Sequence, residues 1–247
     1  MSKKPGIFVI FRMILVLIAL IILLPVIILI MFVGNLISLG RLQDATFRLA
    51  SFLFGRTGLG LAGVRLKVIW HDGKPQQPVV YLFNHSSTLD LFVITALSLR
   101  GVRYIAKREL GYNPFFWMIA KLSGQIMINR KDPRRAIAQI NKAYKHLRKH
   151  RFCLMLAPEG TRSQTGKILP FKSGAFLAAI ELGYPIVPIY IEGAHALCPG
   201  KSLIARPGTI TVHIHEPIDT SGWDKKTIRK YAEEIRERYL EWNGEAQ

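Results

Sequence analysis

Residues 13–40 contain no charged side chain. This limits the fold more than any other feature, because so long an apolar stretch needs lipid or a large core to cover it. It exceeds the apolar core of a secretion signal, and no small-residue cleavage site follows it. Pro25 removes a helix hydrogen bond inside it, so a break or kink is expected there. Residues 13–24 alone would give only ~18 Å of helix, against a hydrocarbon core of roughly 30 Å. Lys3, Lys4 and Arg12 precede the segment, and Arg41, Arg48 and Arg56 follow it. Basic flanks favour the cytoplasmic side, which pulls both ends the same way. A helical hairpin or monotopic anchor in one leaflet satisfies both pulls; a single bent span satisfies one. The expected location is the cytoplasmic face of the inner or plasma membrane. Residues 41–61 read as a further, membrane-surface helix with Phe47, Leu49, Phe52, Leu53 and Phe54 as its apolar face. Residues 1–60 are thus assigned to an anchor and 61–247 to the body.

The body alternates short apolar strands with helical stretches. Strands are expected at 64–70, 79–83, 102–106, 125–128, 152–156, 185–191 and 209–215. Helices are expected after residue 90, over 113–122 with Phe115, Phe116, Met118 and Ile119 as the apolar face, from Asp132-Pro133 to about 150, over 172–182, and from a Ser221/Asp224 capping box to about 242. This order predicts an α/β fold, a mixed central sheet flanked by helices. The formal net charge of +18, from 34 Lys and Arg against 16 Asp and Glu, calls for anionic partners. Nucleic acid is the weakest of these: no recognition motif is present, and such a protein would hardly need the apolar segment. Cys153 and Cys198 are too few for a disulfide framework or zinc site, and Cys153 sits in an apolar run as a buried thiol.

Chemistry concentrates after the strands, along the edge where open α/β sheets bind ligands. His85 and Asp90 fall at the first such strand-to-helix junction. They can form a general base, the carboxylate steadying one ring nitrogen while the other takes a proton. An Asp capping the helix and a His capping the strand end fit the pair alone equally well. Arg130 follows the strand at 125–128 and is suited to a phosphate. The loop Pro158-Glu159-Gly160-Thr161-Arg162-Ser163 puts a carboxylate, a guanidinium and two hydroxyls on a tight turn, fit for a phosphate monoester with Glu159 orienting Arg162. It is not a P-loop: the spacing is one residue too long, and Ile168 stands where magnesium needs a hydroxyl. Residues 184–189 are apolar and read as core. There is no Gly-x-Ser-x-Gly elbow and no metal-ligand cluster. A base and phosphate-binding groups without a protein nucleophile fit direct transfer to a substrate hydroxyl.

These residues resemble the glycerophospholipid acyltransferases, particularly the 1-acylglycerol-3-phosphate type, over roughly residues 60–215. Four ordered blocks carry the likeness: Asn84-His85-x-x-x-x-Asp90, Gly124-x-Ile126-x-Ile128-x-Arg130, Pro158-Glu159-Gly160-Thr161-Arg162-Ser163 and Ile186-Val187-Pro188-Ile189. Phe171-Lys172-x-Gly174-Ala175 also follows the third block as expected. Met127 replaces the usual aromatic residue and Ala157 the usual Phe, which puts acyl or acceptor preference in doubt. The resemblance implies an O-acyltransferase in which His85, oriented by Asp90, deprotonates the free hydroxyl of lysophosphatidic acid. The oxygen then attacks the thioester of acyl-CoA or acyl-carrier protein, giving phosphatidic acid. Arg130, Glu159, Gly160, Thr161 and Arg162 would bind or shape the phosphate site, with Lys107 as a helper and Ser86 and Ser87 as bystanders. No cofactor is implied beyond the acyl donor. Anionic membrane lipids, the lysophospholipid acceptor and the donor are the implied partners, and nucleic acid is not one. A different lysolipid, an ornithine-type lyso-lipid or transacylation between phospholipids are the neighbouring alternatives.

Overall fold

The structure, a computed structural model, describes residues 7–129 and 133–245. The apolar segment forms one helix, α1 (Ile7–Ile37), continuous through Pro25, so neither the expected break nor a hairpin folded within residues 13–40 is present. The turn comes later, near residues 38–42, and the chain returns as α2 (Gln43–Leu61). The two helices run antiparallel in close contact: Ile27 and Met31 meet Phe47 and Ala50, while Val16 packs in one cluster with Leu59 and Ala62. Contacts on both sides of Pro25 hold the helix together where one backbone bond is missing. At 31 residues it is about 46 Å long, more than a bilayer core requires. Its outer face, including Phe8, Phe11, Leu17, Ile21, Leu29 and Phe32, is exposed.

The body is a seven-stranded mixed sheet in the order β1-β7-β6-β2-β5-β3-β4. The strands are β1 (Val64–Trp70), β2 (Val80–Phe83), β3 (Val102–Lys107), β4 (Ile126–Ile128), β5 (Cys153–Leu156), β6 (Ile186–Glu192) and β7 (Gly208–Ile214). From β6 through β4 all neighbours are parallel; β7 runs antiparallel to β6 and parallel to β1. Period-two alternation sends successive residues of β2 to opposite faces. Tyr81 joins the core under α2 and α3 (Asp90–Ala96), whereas Val80 and Leu82 join the core under α5 (Pro133–His150), α6 (Ser173–Leu182) and α8 (Ile228–Trp242). Gly55 lets α2 approach α3, since a Cβ there would lie 2.4 Å from the Ala96 backbone nitrogen.

One local expectation changes. Ser221 bonds Asp219, and the Asp224 side chain accepts from Lys226 N at 2.9 Å, capping a short 3-10 turn ahead of α8 instead of forming a capping box. Helix α4 (Pro114–Ser123) uses Ile119 and Leu122 against α1 and α2, leaving Phe115, Phe116 and Met118 exposed. The expected start at Asp132 lies outside the described residues.

A buried ion pair ties the hairpin to the sheet. Arg103, 0 % exposed, places Nη1 3.1 Å from Asp44 Oδ1 and stacks its guanidinium 3.7 Å over the Phe152 ring. Asp44 also accepts the Gly101 N–H. Removing one partner of a buried pair strands the other charge, which costs about 3–5 kcal/mol. Asp44→Ala is therefore expected to destabilise by that amount in denaturant unfolding, and adding Arg103→Met to it should recover part of the loss.

Candidate active site

Strand β2 ends at Phe83, and Asn84 continues its pairing with β6 by side chain: Nδ2 donates to Ile191 O at 3.0 Å while Oδ1 accepts Ile191 N at 2.7 Å. The backbone is thereby released from the sheet at His85. Asp90, the first residue of α3, is 1 % exposed, and its Oδ2 gathers three donors. Nδ1 of His85 lies at 2.7 Å, and the Ser86 and Ser87 N–H groups each at 2.8 Å. An oxygen already accepting two N–H groups fixes the neutral ring with its proton on Nδ1 and its lone pair on Nε2. Nε2 meets no protein partner among the described residues, and the His85 side chain is 25 % exposed. The pair is thus oriented to take a proton from a group arriving at the open edge. Ser86 and Ser87 are more than bystanders, because their amides hold the carboxylate; the Ser87 hydroxyl also donates to Cys198 O at 2.7 Å.

The 158–163 loop, which follows β5, docks beside this turn. Glu159, 2 % exposed, accepts the His85 N–H at 2.8 Å and the Leu169 N–H at 3.2 Å. Ser163 N donates to His85 O at 2.8 Å. The two motifs therefore clamp the same residue from both backbone sides, and the Glu159 carboxylate engages amides, not Arg162. Burial pushes the Glu159 carboxyl up to about 7, against the two N–H bonds and His85, which favour the charged form. Arg162 Nη1 donates to Thr88 Oγ1 at 3.0 Å and to Gly200 O at 3.1 Å. Gly160 has φ +69°, so the turn favours glycine, and the Lys172 side chain crosses over it, its Cδ 2.9 Å from where a Cβ would lie. Gly160 and Thr161 are exposed.

The structure thus brings His85, Asp90, Glu159, Gly160, Thr161 and Arg162 to one region. Lys107 ends β3 on the same edge of the sheet, and Arg130 lies outside the described residues. The sequence reading missed Asn84 as a splice to β6, the loop bearing Gly200, and Ser202, whose carbonyl accepts from Thr88 at 2.7 Å. Pro199-Gly200 marks only a turn in the sequence, so no signal pointed there. Cys153 and Cys198 are both free and buried, and the described residues hold no cluster of three or more metal-ligating side chains. A cavity of about 1210 Å³ is at the opposite edge of the sheet, between α2 residues Arg48 and Phe52 and the strand-start residues Gly101 and Phe152. It is remote from His85 and lacks its chemistry. A smaller cavity of about 320 Å³ adjoins the site, lined by Asn84, Ser86, Tyr190 and His195.

Residues 65–192 match the acyltransferase family, a span covering more than half the chain. The chain belongs to that family. Among similar curated proteins are 1-acyl-sn-glycerol-3-phosphate acyltransferases of Cocos nucifera (37 % identical over 168 residues, 68 % of this chain and 54 % of that one) and Saccharomyces cerevisiae (33 % over 183 residues, 73 % and 60 %). The Escherichia coli protein of the same name is 30 % identical over 165 residues, 67 % of this chain and 66 % of that one. The matched region thus spans between about half and two thirds of these relatives' length. Across the family's α/β architecture, the crystal structure of the 1-acyl-sn-glycerophosphate acyltransferase from Thermotoga maritima matches with a TM-score of 0.77 at 21 % identity. That likeness covers 96 % of this chain and 97 % of that one, and bears on the fold.

A carboxyl raised from its ordinary 4.5 to about 7 on folding keeps its proton in the folded state while the unfolded chain loses it. Its contribution to stability is full at acidic pH and falls as pH rises across that interval, by roughly 3 kcal/mol at most. The stability of the natural chain minus that of Glu159→Gln should therefore decline between pH 4.5 and 7 and level off above it, as read by denaturant midpoints across pH.

Proposed function

We propose that the chain is an O-acyltransferase moving an acyl group from a thioester donor, acyl-CoA or acyl-carrier protein, to the free hydroxyl of lysophosphatidic acid, giving phosphatidic acid. One observation carries the reading: a histidine held at Nδ1 by a buried carboxylate 2.7 Å away, its other nitrogen open at the sheet edge. His85 Nε2 removes the hydroxyl proton as the acceptor oxygen forms its bond to the thioester carbonyl. The tetrahedral intermediate collapses with cleavage of the carbon–sulfur bond, and the proton passes from His85 to the departing thiolate. Asp90 steadies the transient imidazolium and keeps the tautomer correct. Neither bond change is a redox step, and no cofactor beyond the donor is needed.

The acceptor phosphate is bound by Arg162 and the exposed turn at Gly160 and Thr161, with Arg130 and Lys107 as further cationic partners. Glu159 contributes by fixing the His85 backbone. Supporting the acceptor choice are the family membership and the acceptor-specific names of the relatives. Residues 1–60 act as an anchor to anionic membrane: α1 and α2 lie side by side, which favours a monotopic anchor in one leaflet with the basic body on the cytoplasmic side.

The test is transfer of labelled acyl groups by purified protein, read by product mass across a panel of donors and lysolipids. His85→Ala is expected to lower kcat by about 10²–10⁴-fold, with membrane association unchanged. Asp90→Asn should lower kcat comparably by misorienting the ring. Arg162→Ala should chiefly raise the acceptor KM; an unchanged KM would point to a different lysolipid.

A further inference from the structure

Outside the anchor helices, one segment of the body exposes a dense apolar surface. Leu110, Tyr112, Phe115, Phe116, Trp117 and Met118 are all exposed, six large side chains within nine residues. Such contiguous patches on a water-soluble surface are small or functional. Here the segment is rigid. Asn113 caps α4 by accepting Phe115 N at 3.0 Å, and Pro114 starts the helix. The back of α4 is fixed to the hairpin, since Leu122 O accepts from Asn35 Nδ2 at 2.9 Å and from Gln43 Nε2 at 3.0 Å. The same helix packs Ile119 and Leu122 against Ile27 and Met31 of α1. The exposed aromatic face therefore belongs to one rigid unit with the exposed face of α1, and a bilayer that receives α1 is the occupant this continuity favours.

Position gives this surface a further role. The 3-10 turn Arg108–Tyr112 leaves β3 at the edge where β2 delivers His85, two strands along the order β2-β5-β3, or about 10 Å. Met127 of β4 packs against the turn, 3.3 Å from where a Cβ on Gly111 would lie. Trp117 carries Lys121 5.9 Å from its ring centroid, a pairing at home where apolar and aqueous phases meet.

We propose that residues 110–118 are a second lipid-inserting element, entering the same leaflet as α1, and that the lipid acceptor crosses this surface to reach His85. The second part rests on the proposed acceptor; the first does not. The buried Cys153 and Cys198 leave an introduced cysteine as the labelling site. Phe116→Cys in the full chain, carrying a polarity-sensitive fluorophore and bound to phosphatidylglycerol vesicles, should emit at shorter wavelength and be quenched by lipids brominated on their acyl chains. A label at Lys230→Cys, on the helix covering the other face, should do neither. Phe116 labels as wet as Lys230 labels, or shielded only by self-association of the chain, would overturn insertion. The Phe116→Ala/Trp117→Ala variant should raise the apparent KM for vesicle-borne lysophosphatidic acid about tenfold or more. Its kcat, and its KM for a short-chain acceptor presented as monomers, should not change. Equal KM changes for both presentations would overturn acceptor delivery, and so would a change in neither, even if the label inserts. Loss of activity toward every acceptor in the natural chain would sink the proposed reaction while leaving the labelling result standing.

Discussion

Two buried carboxylates set the geometry on which the site depends. Asp90 collects the His85 ring and the amides of Ser86 and Ser87, while Glu159 collects the His85 amide. Each carboxylate is desolvated, and each is compensated by hydrogen bonds that only one conformation of the 84–90 turn can supply. The turn is therefore specified from below by α3 and from the side by the 158–163 loop. Its direction out of the sheet is set by the Asn84 side chain, which ends the β2–β6 ladder without leaving Ile191 unpaired.

The same logic operates at the hairpin. An Asp–Arg pair, a close approach at Gly55 and the amides of Asn35 and Gln43 bind α1 and α2 to the sheet and to α4. Val16, Leu59 and Ala62 share a core with β1, β2 and β6. The apolar helix is thus part of the folded body along one side and uncovered along the other. A long helix fixed in this way presents its apolar side at a defined height and angle to the site.

Much of the fold was legible because each strand is a short apolar run between turn residues and helix α4 opens on a clear signal, Asn113-Pro114. Burial of residues 186–189, read as core, follows from their lack of polar groups. Errors fell where packing overrode a local rule. Pro25 did not break α1, because neighbouring turns are held by α2. For Phe115, Phe116, Met118 and Ile119 the sequence gives only an apolar face, since spacing reports that a helix has such a face without saying what covers it.

The sequence by itself determined the chemistry available: a His and an Asp five residues apart, a Glu-Gly-Thr-Arg turn, a net basic charge and an apolar leading segment. These follow from residue identity and near-neighbour spacing. Only the tertiary structure decided that Glu159 serves the His85 backbone, that Ser86 and Ser87 amides hold Asp90, and that the 198–202 loop receives Thr88 and Arg162. Those pairings join positions up to 114 residues apart. The physical reason is that a hydrogen bond depends on where two groups meet in space, and for backbone amides and carbonyls the side-chain sequence leaves no mark of the partner.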